Sequence, residues 1–426
     1  MSRIRPPRPP ALRYRVARRT DVETLADLGY RAYRIASLEK RREFYTDHPR
    51  FTIRDVRVGE LDGQIVASLV LYPFTGFVRG ERVAMTGIGS VAVSPEHRRR
   101  GIGEALLKSM LREMRQTGRA LSILYPFRGS FYRKLGYGTI EMTNLLAFAP
   151  SNLSPSEEAR RTRRLMLPDR AAVQELYARM VQQQGHFALE RKPEWWSNRL
   201  WDYPGEWIVY EGKRRGQIEG YLYFEADTSN GPFKLALTLS EFVASTPEAH
   251  RGLVGHLASL SDQVAEIHYA APSDAAWPLL FRTPNNLRPG PEIGLMTDTG
   301  NLGAGLMLRV VDVKPALEQL PIHTASRGEV VLEVQDDVLA QNTRGYRVSA
   351  RDGRMSVRPD SARAAGARRL PRLVVPADML GPVLAGTLSP VRAAESGLIA
   401  SSDGAAELVE PWFRTRSPFL HHFNAF

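Results

Sequence analysis

Ser90-Val91-Ala92-Val93-Ser94-Pro95-Glu96-His97-Arg98-Arg99-Arg100-Gly101-Ile102-Gly103-Glu104 is the stretch from which the rest of the chain can be read. An apolar strand, Ser90 to Val93, runs into a Ser94-Pro95-Glu96 turn and then a basic glycine loop. Gly101 and Gly103 lack Cβ, so the backbone there can come close to a bulky anion. The spacing predicts a helix from about Gly101. Ile102, Leu106, Met110 and Met114 recur every fourth residue, with Ala105 and Leu107 alongside. Lys108, Arg112, Glu113 and Arg115 take the other face, and Gly118 suits the stop. The first amides of such a helix have no intrahelical acceptors, and its dipole adds partial positive charge, so a pyrophosphate fits. Arg98, Arg99 and Arg100 raise the local potential further. An Arg-Gly-x-Gly pattern alone is weak, and three arginines also make a solvated face. The order is what adds weight. After the helix come Pro126-Phe127-Arg128 and then Phe131-Tyr132-Arg133-Lys134-Leu135-Gly136-Tyr137.

Composition sets the outer bounds. The chain has 426 residues, is 43% hydrophobic and 24% charged, and is long enough for two or three domains. It has no cysteine, which excludes disulfides, thiolate metal sites and a cysteine nucleophile, and a reducing cytoplasm is the expected setting. Nine histidines show no metal-ligand spacing, so no metal is expected. The stretch Ser2 to Pro10 carries charge without an apolar core. It reads as a mobile tail and not as a signal peptide. No apolar run reaches the roughly 18 residues of a membrane span, so no membrane partner is expected. The net charge of +12 favours polyanions. The basic clusters are short and lack interleaved aromatics, so no nucleic-acid partner is expected.

Thr20-x-x-Glu23 reads as a capping box opening a helix, with a short strand at Leu12–Val16 before it. Asp62-Gly63 marks a hairpin between Arg54–Glu60 and Ile65–Leu71. Gly80-Glu81 turns the chain into Val83–Val93. The first domain is expected over residues 1–150. Further on, Glu241-Phe242-Val243-Ala244, Thr246-Pro247-Glu248 and His250-Arg251-Gly252 echo Ser90 onward. This copy lacks the arginine triplet and the late aromatic motif, and is expected to bind no cofactor. It is placed at 151–292, after a polar linker Ser151–Arg164. The third domain, 293–426, begins near Gly294. Leu306–Val313, Glu329–Gln335 and Tyr346–Ala350 read as strands, and Pro376–Leu388 as a helix. Gly300-x-x-Gly303-x-Gly305 precedes a strand, so it is a turn and not a nucleotide loop.

The strand, anion loop, helix and late tyrosine resemble the acetyl-coenzyme A site of the GCN5-related N-acetyltransferases (GNAT). With a degenerate second copy and an α/β C-terminal domain, the whole chain resembles the Eis-type (enhanced intracellular survival) branch. The fold class this implies is α/β (α+β): two tandem GNAT-like mixed sheets with flanking helices, then a domain similar to sterol carrier proteins. The resemblance implies acetyl-coenzyme A as co-substrate. Val91, Ala92 and Val93 are then expected against the acyl and pantetheine portion. Arg98, Arg99, Arg100, Gly101, Ile102, Gly103 and Glu104 are expected to line the diphosphate, with Phe127 and Arg128 bordering the other side. It further implies that Tyr132 protonates the departing thiolate and that the terminal carboxylate of Phe426 serves as base. A buried aromatic with a satisfied hydroxyl is the other reading of Tyr132, and a packed terminal ring the other reading of Phe426. An α-carboxylate has a pKa of roughly 3.5, so orienting the amine or relaying its proton through water suits it better than outright abstraction. The implied acceptors are amines, either aminoglycoside-like polyamines or lysine side chains, for which Asp27, Glu39, Glu43 and Asp47 are candidate acidic contacts. A homohexamer is implied by the same resemblance. The alternative is a lipid or apolar-ligand carrier that uses the C-terminal domain.

Overall fold

The computed structural model describes residues 12–34, 37–198, 200–214, 216–231, 233–283, 285–287, 297–360 and 370–426. The N-terminal stretch 2–10 and the expected domain start near Gly294 lie outside these.

The chain opens with β1 (Arg13–Val16), α1 (Val22–Tyr33) and α2 (Leu38–Thr46). A meander follows: β2 (Val56–Leu61), β3 (Gln64–Val78) and β4 (Glu81–Val93). Asp62 and Gly63 adopt positive φ, as do Arg79 and Gly80, which fits two tight hairpins at the expected turns. Next come α3 (Ile102–Gln116), β5 (Leu121–Leu124), α4 (Gly129–Arg133) and β6 (Gly138–Thr139). The helix α1 does not use Thr20 and Glu23 as its box. Asp21 is its N-cap, and the Asp21 carboxylate accepts from the Arg18 amide at 2.7 Å. Asp21, two residues before Glu23, makes this bond, and a 3-10 turn over Arg19–Asp21 precedes the helix proper.

The second unit contains β7 (Met142–Phe148), β8 (Thr162–Arg164), α5 (Arg170–Gln184), β9 (Ala188–Leu189), α6 (Pro193–Asn198) and β10 (Glu206–Glu211). It continues through β11 (Ile218–Asp227), β12 (Leu235–Ala244), α7 (Pro247–Ala258), β13 (Val264–Pro272) and β14 (Asn301–Ala304). The last part holds β15 (Met307–Val310), α8 (Val313–Gln319), β16 (Gly328–Gln335), β17 (Arg344–Arg351), β18 (Arg354–Pro359) and β19 (Arg372–Pro376). It closes with α9 (Ala377–Leu384), α10 (Pro390–Glu395), β20 (Ala400–Ser402) and α11 (Ala405–Phe413).

Three mixed sheets result, ordered β1-β2-β3-β4-β5-β15-β6, β14-β7-β13-β12-β11-β10-β8 and β18-β17-β16-β19-β20. Sheet membership crosses the borders read from sequence. The strand β7 follows directly on the first unit yet pairs with β13 in the second sheet. The strand β15 sits between β5 and β6 in the first sheet, although it was read with the C-terminal region. All four of its residues are buried, so an interior position covers both of its faces. These exchanges tie the units together along the groove that holds the site.

The core of the first unit forms where α3 lays Ile102, Leu106, Leu107, Met110 and Leu111 on β3 and β4. Each such side chain contributes roughly 1.5–3 kcal/mol by leaving water. The C-terminal sheet encloses a space of only about 20 Å³ between residues such as Leu317, Val348 and Trp412. Among the described residues, no helix is long and apolar enough to cross a membrane.

Candidate active site

Two backbone events shape the site. In the β3–β4 pair, Gly89 faces Val70 and Ala92 faces Ser68, so Ser90 and Val91 share one partner residue. This is a bulge, and Ser90 takes φ +50° within it. Meanwhile β5 pairs with β4 only at Thr86–Ser122 and Gly87–Ile123. Beyond Gly87 the two parallel strands part, while β4 runs on to Val93. Val91 and Val93 are half-buried along that opening and Ala92 is buried behind it. The Val91 carbonyl is held from the far side by the Tyr33 hydroxyl at 2.8 Å.

The basic loop stands at the end of this opening. Arg99 and Gly101 adopt positive φ, and Gly101 caps α3 without a side chain. Among the described residues no acceptor is found for the N–H groups of Arg99 through Glu104; the first bonded amide is Ala105, to Gly101 O at 2.9 Å. A methyl at Gly101 would meet nothing within 4 Å, so the loop faces open space. These six amides, with the helix dipole behind them, fit a diphosphate. The arginines divide. Arg98 hydrogen-bonds the carbonyls of Val93 and Ala32, so it fastens the loop. Arg99 and Arg100 are exposed and form no ion pair or hydrogen bond among the described residues, which leaves them for an anion. The Glu104 side chain pairs with Lys108 at 2.6 Å, so only its amide is available.

The aromatic motif separates its two tyrosines. Tyr137 is fully buried and its hydroxyl is 2.8 Å from Ser122 Oγ, a satisfied core residue. Tyr132, on α4, is 3% exposed, yet its hydroxyl finds no hydrogen-bond partner among the described residues. Burial pushes its pKa well up, with Tyr137 and Tyr33 adding to it, so the proton stays on at neutral pH. Phe127 is 72% exposed and leans on Phe131 and Tyr132, each at 5.5 Å. Arg128 is exposed at the start of α4.

The C-terminal segment leaves α11 and threads between the first two sheets. Glu141 Oε1 accepts from the Leu420 amide at 2.7 Å, while Oε2 takes the Leu306 amide and the Tyr125 hydroxyl. Arg191 and Glu241 form a fully buried pair, and Arg191 also donates to Asn424 Oδ1 at 2.8 Å. Asn424 donates in turn to the Tyr177 hydroxyl, Trp195 Nε1 holds Phe423 O, and Arg50 holds the carbonyls of Asn424 and Ala425. The segment ends with the Phe426 ring 4.8 Å from Phe74 and 5.4 Å from Tyr72. Glycines make room for it. A methyl at Gly87 would stand 2.8 Å from the Phe426 ring, and one at Gly89 would stand 3.3 Å from its carboxyl carbon. The terminal carboxyl therefore lies against β4 just before the bulge.

Sequence reasoning had no signal for Glu141, Arg50, Arg191 or Glu241, because each is a lone charged residue until the fold assembles them. Asp27, Glu39, Glu43 and Asp47 are solvent-exposed. A cavity of about 610 Å³ opens beside Tyr125 and Ala425, and Glu141 is the only carboxylate among its described lining residues. The equivalent cleft of the second unit differs. Thr246 caps α7 with its own side chain, and Trp277 packs on Phe242 and Tyr269 across the parting of β12 and β13.

Histidines make the hold on this segment pH-sensitive. Burial lowers His421 to about 4, with Glu241 opposing and Arg191 assisting. Burial likewise lowers His186, whose peptide oxygen receives the Phe419 amide, to about 4. Both imidazoles are neutral when folded and take up protons near 6.5 when unfolded. Their stability contribution is full above 6.5 and is lost as pH falls toward 4. Glu141, raised by burial, pulls the other way. We expect the thermal midpoint to fall on acidification across that window, and to fall less steeply in His421→Gln; identical slopes would remove His421 from the effect.

Residues 13–140 and 188–310 each match an acetyltransferase (GNAT) domain, together more than half of the chain, and residues 313–421 match a sterol carrier protein domain. A Streptomyces griseus protein named as an uncharacterized N-acetyltransferase is 28% identical over 284 residues, covering 61% of this chain and 64% of that protein's length. The N-acetyltransferase Eis of Mycobacterium tuberculosis is 28% identical over 304 residues, covering 66% of this chain and 69% of that one. Two crystal structures share the fold over 98% of this chain and 100% of their own. They are a GCN5-related N-acetyltransferase from Anabaena variabilis (TM-score 0.80, 21% identity) and Eis1 from Mycobacterium abscessus (TM-score 0.76, 22% identity).

Proposed function

Because the chain belongs to the Eis-type GCN5-related N-acetyltransferases, we propose that it moves an acetyl group from acetyl-coenzyme A to an amine. The observation that carries this reading is the parting of β4 from β5 beneath a helix start whose amides have no acceptor. Acetyl-coenzyme A supplies the activated acyl carbon when bound. The chain's residues do the rest. The N–H groups from Arg99 to Glu104 hold the diphosphate, with Arg99 and Arg100 adding charge. The edge of β4 at Val91 and Val93, left unpaired by β5, offers amides to the pantetheine and to the carbonyl oxygen as it gains charge. Tyr132, protonated and without another partner, gives its proton to the leaving sulfur. The Phe426 carboxylate holds the amine beside the bulge and passes its proton to water. The 610 Å³ cavity next to Ala425 admits the acceptor.

Release of free thiol from acetyl-coenzyme A, followed with a panel of amines, tests the reaction. Release that depends on the amine supports it; none with any amine rejects it. Gly89→Ala sharpens the test. The added methyl would stand 2.9 Å from the Tyr72 ring and 3.3 Å from the Phe426 carboxyl carbon. We expect kcat to fall on the order of tenfold to a hundredfold through displacement of that carboxyl, with donor affinity unchanged. A hexamer in a cytoplasmic setting belongs to the same reading, and light scattering with cell fractionation checks both.

A further inference from the structure

We infer that Arg41 receives a carboxylate carried by the acceptor, so that the amine acetylated belongs to an amino acid or a similar amino carboxylate. The inference rests on the acetyltransferase reading and narrows its substrate.

Four arginines are buried among the described residues. Arg57 meets Glu113 at 2.6 Å, Arg191 meets Glu241 at 2.5 Å and Arg309 meets Asp336 at 2.6 Å. Arg41 is 8% exposed, and among the described residues it pairs with no carboxylate and its guanidinium makes no hydrogen bond. A cation taken out of water without a counter-ion is costly, and proteins remove such groups unless something uses them. The rings of Tyr33 and Phe44, at 4.7 and 5.5 Å, soften that cost and offer no acceptor lone pair in its place. Arg41 Nε is closed off, so the terminal nitrogens carry the remaining exposure. They are the pair that grips a carboxylate in fork geometry.

Position makes that carboxylate an acceptor's. Arg41 is wedged between α1 and α2, where a methyl on Gly29 would stand 3.3 Å from Arg41 Nε and 3.6 Å from the Tyr45 hydroxyl. Tyr33, on whose ring Arg41 rests, bonds the Val91 carbonyl at the bulge. Tyr72 feels the charge of both Arg50 and Arg41, and its ring is 5.4 Å from Phe426. The guanidinium thus stands one aromatic ring from the reacting end of β4. An amino carboxylate puts its ammonium at the Phe426 carboxylate and its own carboxylate at Arg41. A polycation would meet Arg41 and Arg50 as like charges, and Glu141, the one carboxylate among the described cavity-lining residues, already has both oxygens engaged.

Paired amines test this: phenylalanine against phenethylamine, and lysine against cadaverine, by thiol release with the full chain. The inference expects the carboxylate-bearing member of a pair to have the lower KM in the natural chain. Arg41→Gln should raise that KM about tenfold or more, the loss of a charged bidentate contact. It should leave kcat and the kinetics of the carboxylate-free amine in place, and Arg41→Lys should recover part of the difference. The thermal midpoint of Arg41→Gln should match or exceed the natural one, since an unpaired buried charge is removed. Equal or better use of the carboxylate-free amines by the natural chain overturns the inference, with no variant needed. So does an Arg41→Gln chain that loses both substrates alike or no longer folds. Thiol release with polycations alone would sink this inference and leave the acetyltransferase reading standing, whereas no release with any amine would sink that reading itself.

Discussion

Adding a single residue after Phe426 is expected to lower kcat about a hundredfold or more while acetyl-coenzyme A binds as before. The last residues are not a frayed end. Asn424 spends both side-chain groups on Arg191 and Tyr177, and the carbonyls of Phe423, Asn424 and Ala425 are taken by Trp195 and Arg50. These bonds fix the position of Phe426. The Phe426 ring is fixed among Tyr72, Phe74 and Tyr125. An extra residue turns the carboxylate into a neutral peptide and drives new atoms toward β4, where Gly89 leaves 3.3 Å for even a methyl. The Arg99–Glu104 amides proposed to hold the donor belong to other elements, so donor affinity should not change. Steady-state kinetics with calorimetric titration of the donor separates the two. A fully active extended chain would remove the carboxylate from the mechanism.

Tyr132→Phe should cost about a hundredfold to ten-thousandfold in kcat, the usual size of a lost general acid. Removing a hydroxyl that had no protein partner leaves no orphan behind, so the fold should keep its stability. Tyr137→Phe is the matched control. It strips Ser122 Oγ of its partner at 2.8 Å, so it should lower the thermal midpoint with a smaller effect on turnover. Reversed outcomes would assign the acid to the wrong tyrosine. The loss in Tyr132→Phe should also shrink for a thioester whose thiol has a low pKa, because such a leaving group needs no proton.

Local patterns carried the stretch from Ser90 to Gly138 well. The helix spaced from Ile102, the hairpins at Asp62-Gly63 and Gly80, and the echo at Glu241–Leu257 all depend on neighbours within one turn or one strand. The bulge at Ser90–Val91 and the parting of β4 from β5 leave no mark in periodicity, and the folded strand pairing is what reveals them. What local reading missed was long-range. The pairing of β15 with β5 joins residues almost two hundred positions apart, and nothing in Met307–Val310 names its partner. Glu141 looks like any surface glutamate until the Leu306 and Leu420 amides arrive. Arg41 sits on a polar helix, and only the folded packing shows that it lacks a carboxylate. Thr20 and Glu23 fit a capping pattern, but the carboxylate bond that forms there is from the Arg18 amide to Asp21.

The most direct test is a crystal structure with acetyl-coenzyme A bound. The diphosphate oxygens should lie within hydrogen-bond distance of the amides between Arg99 and Glu104. The thioester should enter between β4 and β5, its carbonyl at Val91 and its sulfur toward Tyr132, with the Phe426 carboxylate on the opposite side of the acyl carbon. A donor seated at α7, or a β4–β5 opening closed by side chains at saturating donor, would contradict the account.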